Sequence, residues 1–201
     1  MYLASKSPQR KALLQALGLD FQVVIPEYSE IDPPGAAPAE LVERHSCGKA
    51  RSVLLRVQPL EPASPVLGVD TMVFAGGRSL GKAGSEQEAL EYLRLLSGNT
   101  HQVYSGITLI WASGLQSCTL HAVTDVRFAA VSEDELRAYV ATGEWRGRAG
   151  AYAIQGRASA FVEEIRGDYT NVVGLPVPLL VGMLRKNRLW PAGNKNTEGL
   201  K

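Results

Sequence analysis

The chain has 201 residues, 45% hydrophobic and 20% charged, with a formal net charge of +1. That is enough for one sizeable domain or two compact lobes, and the near-neutral charge gives no reason to expect nucleic acid or an anionic membrane as partner. Cys47 and Cys118 match no zinc or redox spacing. The first residues lack the basic region and long apolar core of a signal peptide, and the apolar run over 172–184 is interrupted by Pro176 and Pro178 and too short to span a bilayer. A reduced, cytoplasmic protein is the expectation.

Tyr2-Leu3-Ala4 reads as a short buried strand. Ser7 is placed to cap the helix that follows, Pro8 fits its first turn, and Gly18 stops it. Phe21 to Ile25 reads as a second strand, and a proline- and alanine-rich loop covers 31–38. Residues 39–57 have helical spacing of Leu41, Val42, Val53, Leu54 and Val57, with Gly48 a weak point, and 58–65 form a linker. A buried strand over 66–74 is interrupted by Asp70 and turned back by Gly76-Gly77. Ser85 to Glu88 is a capping-box pattern that opens a helix over 86–96. Two long strands over 101–112 and 118–130 form a hairpin joined near Ser113-Gly114. A second capping box, Ser132 to Glu135, opens a helix to Thr142. A glycine-rich loop over 147–156, a strand over 161–165 and a last helix over 179–187 complete a domain spanning 1–188, with a polar tail over 189–201. Alternating helices and strands with one long hairpin predict an α/β domain with a mixed sheet, not a purely parallel one.

Chemistry concentrates at a few points. Ser5, Lys6, Ser7, Arg10 and Lys11 crowd hydroxyls and cations around a helix N-terminus, whose free N–H groups and dipole favour an anion such as phosphate. Asp70 interrupts an apolar run, where an unpaired carboxylate is costly; it reads as a metal ligand, a base that activates water, or a turn-initiating residue. Thr71 offers a hydroxyl beside it. Lys82, after a glycine turn, can reach a phosphate as a point charge. Gln155 can read a base edge through its amide. There is no Walker A loop and no G-x-S-x-G elbow, and His45, His101 and His121 form no metal-ligand pair or recognisable triad.

Several motifs occur together in order. They are Leu3-Ala4-Ser5-Lys6-Ser7-Pro8-Gln9-Arg10, Gly68-Val69-Asp70-Thr71, Gly81-Lys82, Leu96-Ser97-Gly98, Ala149-Gly150-Ala151-Tyr152 with Ile154-Gln155-Gly156, and Val173-Gly174-Leu175-Pro176. With them the chain resembles the Maf-like nucleoside triphosphate pyrophosphatase family. The resemblance implies an elongated, twisted mixed sheet flanked by helices, with two lobes and a central cleft. It implies hydrolysis of a nucleoside triphosphate to the monophosphate and pyrophosphate with a divalent metal, Mg²⁺ or Mn²⁺, in nucleotide-pool housekeeping or division arrest. A homodimer is also implied. The family's polar residues fall on Ser5, Arg10, Glu30, Lys49, Asp70 and Lys82. Asp70 matches the proposed proton acceptor, Glu30 and Asp70 can hold the metal, so that Asp70 is base, metal ligand or both, and Ser7 joins the substrate contacts. Base-selecting positions fall on Gln9, Thr71 and Gln155; the last two match the branch acting on dTTP and UTP, whereas Gln9 stands where that branch usually has arginine. Ala83, Trp145 and Gly147 also depart from the usual pattern. Gln9 implies weaker binding or a preference broadened toward CTP or modified pyrimidines. A nucleotide-binding regulator of cell division without turnover is the alternative.

Overall fold

The computed structural model describes residues 1–33, 35–57, 64–111 and 117–190. The chain runs β1 (Tyr2–Ala4), α1 (Pro8–Ala16), β2 (Gln22–Val23), α2 (Pro38–Val57), β3 (Val66–Ala75), β4 (Arg78–Leu80) and α3 (Glu86–Leu96). It continues with β5 (Thr100–Ile110), β6 (Ser117–Phe128), α4 (Glu133–Ala141), a 3-10 turn (Arg157–Phe161), β7 (Val162–Arg166), α5 (Tyr169–Val173) and α6 (Val177–Lys186). The strands form one seven-stranded sheet in the order β2-β1-β3-β5-β6-β7, with β4 paired to β3 off that path. β1 is parallel to β2 and β3, and the remaining pairs are antiparallel. The mixed α/β sheet is therefore as expected.

Local chemistry sets most boundaries. Ser7 Oγ accepts from the Arg10 N–H at the start of α1, with Pro8 in the first turn. Ser132 and Glu135 form a reciprocal capping box on α4. The box expected on α3 is only half made. Ser85 accepts from the Glu88 N–H, but the Glu88 carboxylate accepts from Gly84 N–H and Tyr92 O–H, both at 2.7 Å. β2 is shorter than expected because its partner β1 is itself three residues long. α6 begins two residues early, at Val177. Pro178 sits in the first turn, where its missing N–H costs nothing. The tip of the β5–β6 hairpin, residues 58–63 of the linker, and the tail from 191 lie outside the described residues. Leu189 and Trp190 pack against the core beneath α6.

Alternation along the strands sorts the core onto both faces of the sheet. Leu3, Leu67, Val69, Ile107 and Leu109 pack with Leu14 of α1 and Leu180 and Leu184 of α6. Tyr2, Ala4, Val66 and Ile110 pack on the other face with Ala50, Val53, Leu54 and Val57 of α2. A separate core gathers the far ends of β3, β5 and β6 with β4, α3, α4 and the 3-10 turn. These cores mark two lobes sharing the long strands β3 and β5. α2 lies directly on the sheet because Gly68 and Gly106 leave room for it. A Cβ on either would sit 2.1 Å from a helix carbonyl oxygen, that of Ser46 or Val42.

Candidate active site

The site grows from a gap in the strand pairing. β1 ends at Ala4, opposite Gly68, and β4 joins β3 only from Val73 onward. Between them one edge of β3, at 69–72, has no strand partner among the described residues, while β5 covers the other edge. A cleft of about 590 Å³ opens there, between the lobes. It lies where a parallel strand gives out, the position at which open α/β sheets place ligands. Asp70 and Thr71 sit in this stretch and point to opposite faces, Asp70 toward α2 and Thr71 toward α1. Thr71 lines the cleft directly, and Asp70 stands behind Lys49.

On the α1 side, Arg10 is the organiser. Its guanidinium donates to Gly174 O at 2.8 Å, Thr71 Oγ1 at 3.0 Å and Ser5 Oγ at 3.1 Å. Three chain segments, including the end of α5, are thus tied by one planar donor fork. Thr71 Oγ1 also meets Ser105 Oγ at 2.8 Å. Burial pushes the Arg10 guanidinium down from its ordinary value, opposed by Asp70 and Glu30. Ser5 Oγ accepts from the Ser7 N–H, and Ser7 Oγ donates to Gln9 Oε1. Lys6 stands on the cleft wall, but Lys11, grouped with these cations by sequence, faces a shallow groove beside Gly18 and Val23 instead.

On the α2 side, Lys49 Nζ bridges two carboxylates, Asp70 Oδ1 at 2.5 Å and Glu30 Oε1 at 2.6 Å. Asp70 is 6% exposed, so the carboxylate that interrupts the apolar run is not unpaired. Glu30, on the loop after β2, is half open to solvent. Two hard oxygen donors thus converge on the Lys49 ammonium, with Glu30 and Lys49 on the cleft wall and Asp70 behind them. Among the described residues no group of three or more His, Cys, Asp or Glu forms a complete metal cage. Two carboxylates completed by substrate oxygens is the usual arrangement for Mg²⁺ with a phosphate ligand.

The opposite wall comes from the other lobe. Lys82 bridges to Ala149, and the Gly150 N–H bonds the carbonyls of Leu80 and Gly81, fastening the glycine-rich loop to the end of β4. Partial burial, then the Lys49 and Arg10 cations, lower the Lys82 pKa. Val73, Val103 and Tyr152 supply an apolar floor, and Gln155 stands exposed at the rim. The cleft therefore gathers Ser5, Ser7, Gln9, Arg10, Glu30, Lys49, Thr71, Lys82 and Gln155, with Asp70 directly behind Lys49. Sequence reasoning missed Tyr28, Ser105 and the Gly174 carbonyl. The first two carry no motif, and the third lies in the Val173-Gly174-Leu175-Pro176 motif, whose backbone carbonyl role no side chain signals.

The Maf-like protein family model matches residues 1–187. A dTTP/UTP pyrophosphatase of Pelotomaculum thermopropionicum is 46% identical over 184 residues, covering 92% of this chain and 94% of the relative. The dTTP/UTP pyrophosphatase of Symbiobacterium thermophilum is 46% identical, covering 92% of both chains. That of Chelativorans sp. is 44% identical over 203 residues, covering 97% of both. With matches of this extent, the chain belongs to the Maf-like protein family.

Proposed function

We propose that this protein hydrolyses dTTP and UTP between the α- and β-phosphates, releasing the monophosphate and pyrophosphate. The observation that carries the proposal is the pair of carboxylates bridged by Lys49 at the open edge of β3, where Glu30 and Lys49 line the same cleft as Lys82. A site that only held nucleotides would need cations alone, since carboxylates repel a triphosphate. Glu30 and Asp70 are accounted for by a reaction. Asp70 accepts the proton of the attacking water, and Lys49 fixes its position. Ser5, Ser7 and the α1 N-terminus, with Arg10 and Lys82, receive the phosphate oxygens and the charge that develops as the anhydride breaks. Glu30 and Asp70 would hold Mg²⁺ or Mn²⁺ together with those oxygens. When bound, the cation supplies charge neutralisation at the phosphates.

Gln155 carries an amide suited to a pyrimidine edge, exposed at the rim of the cleft. Thr71, whose hydroxyl holds Arg10 and Ser105, acts on base choice through the shape of that wall. The relatives' names support the pyrimidine preference. The test is a panel of UTP, dTTP, CTP, ATP, GTP and 7-methyl-GTP, with and without metal, resolved by anion exchange. UMP and pyrophosphate from UTP are expected; UDP and orthophosphate would overturn the mechanism. Tight binding of every nucleotide without turnover would favour a regulator. Sedimentation velocity on the same protein tests the homodimer.

A further inference from the structure

We infer that His45 is a positioning residue that, through Tyr28 and Asp32, holds the Glu30 carboxylate against Lys49 and Asp70; its catalytic meaning rests on the pyrophosphatase function proposed above. Glu30 lies in a segment without regular structure, and among the described residues no backbone–backbone hydrogen bond ties 26–32 to the rest of the protein. Something else must fix a carboxylate whose own side chain is 52% exposed.

The anchor lies one turn before Lys49 on α2. His45 is 1% exposed, and both ring nitrogens are engaged. Nε2 lies 2.7 Å from Asp32 Oδ1, and Nδ1 lies 3.0 Å from Tyr28 Oη. A carboxylate only accepts, so Nε2 carries a proton; a neutral ring then accepts the Tyr28 O–H at Nδ1. Tyr28 and Asp32 stand two residues before and two after Glu30. One imidazole therefore grips the loop on both sides of it. His45 and Lys49, four apart, share one helix face, so the grip and the ion pair lie one turn from each other. Gly48 completes the arrangement. A Cβ there would sit 2.1 Å from Tyr28 Cε2, so the phenol ring occupies the space that a side chain would fill. The Tyr28 and His45 rings meet edge to face, with centroids 5.8 Å apart.

Holding Glu30 in this way removes the entropic cost of bringing a loop carboxylate to the reacting centre in each turnover. His45 touches no substrate in this scheme and acts only through Glu30. Two variants test it: His45→Gln, and Asp32→Asn on the exposed side, where loss of folding is not a concern. Crystal structures should show the Glu30 carboxylate away from Lys49 in both. In kinetics with the fastest triphosphate of the panel, each variant should lower kcat roughly tenfold, the scale of one charge-assisted contact, with little change in KM. In a Glu30→Gln background the same changes should cost nothing further. Glu30 remaining on Lys49 in the variants, or an equal cost in both backgrounds, would overturn the inference. A wild-type protein that turns over no triphosphate would sink the functional proposal alone, and the crystal structures would still decide the positioning.

Discussion

Asp70 was visible in the sequence because a carboxylate in an apolar strand demands a partner, but the partner was not. Lys49 is one of four lysines and arginines on α2, and only the packing of α2 on the sheet brings its ammonium within 2.5 Å. We expect Asp70→Asn to lower kcat by about a thousandfold, within the range for removal of a general base. Fold and nucleotide affinity should survive, because the amide keeps the shape and Lys49 keeps Glu30. A melting curve, nucleotide titration and UTP assay check this; near-normal turnover would remove Asp70 as the base. His101 behaves differently. It is 2% exposed, packs edge to face on Phe128 and Tyr152, and meets Tyr152 Oη at 2.9 Å. Burial pushes its pKa down to about 4. Between that value and the ordinary one near 6.5, the unfolded chain binds a proton that the native ring does not, so stability rises with pH across this window. The group contributes roughly 3 kcal/mol above the window, lost as pH falls through it. In denaturant melts at pH 7.5, 6, 5 and 4.5, the stability of wild type relative to His101→Phe should fall toward acid. Parallel curves would contradict the assignment.

At the scale of elements, α2 decides whether a site exists. Gly68 on β3 and Gly106 on β5 let the helix backbone touch the sheet, and the Lys49–Asp70 pair follows from that closeness. Gly106→Ala would place a methyl group 2.1 Å from the Val42 carbonyl oxygen, a backbone atom that cannot turn aside. We expect a loss of about 1–3 kcal/mol, as for other overpacked sites, and a drop in kcat larger than the stability loss alone would cause. Thermal melts with kcat measured well below the transition separate the two, and an unchanged kcat would show that Lys49 follows the sheet regardless. The helices with three turns or nearly so were legible from spacing and caps, and the long strands from their apolar runs. α5 was not, because five residues cannot display a 3.6-residue period. It is held by tertiary bonds from Asn171 Nδ2 to Val103 O and Thr124 Oγ1, and by a local cap in which the Asp168 side chain accepts from Thr170 N–H. This element ends at Gly174, whose carbonyl accepts from Arg10. The site partner hardest to read from sequence therefore sits at the end of the helix hardest to read.

Over the whole molecule the net charge of +1 conceals a polarised cleft. Lys6, Arg10, Lys49, Lys82, Arg146 and Arg148 line it, against Glu30 as the acidic wall residue. Like charges focused in a low-dielectric groove attract a polyanion that the protein as a whole would ignore, so composition could not reveal the substrate while the motifs could. The cations come from both lobes, and a triphosphate between them neutralises a repulsion that the free protein carries. Lys82 registers that repulsion, because Lys49, Arg10 and Lys6 all add to the effect of burial in lowering its pKa. As pH rises through the lowered value, the free protein loses this charge earlier than an ordinary lysine would. A bound triphosphate favours the charged form, so kcat/KM should fall on the alkaline side before kcat does. Lys82→Ala should lower kcat/KM roughly tenfold at pH 7.5 and lose this alkaline limb, since the charge is already gone. Lys82→Arg, which stays charged, should also lack the limb, whatever its absolute rate. Profiles from pH 7 to 10.5 at constant ionic strength decide the matter. An identical alkaline limb in wild type and both variants would assign it to another group and move the phosphate contact away from Lys82.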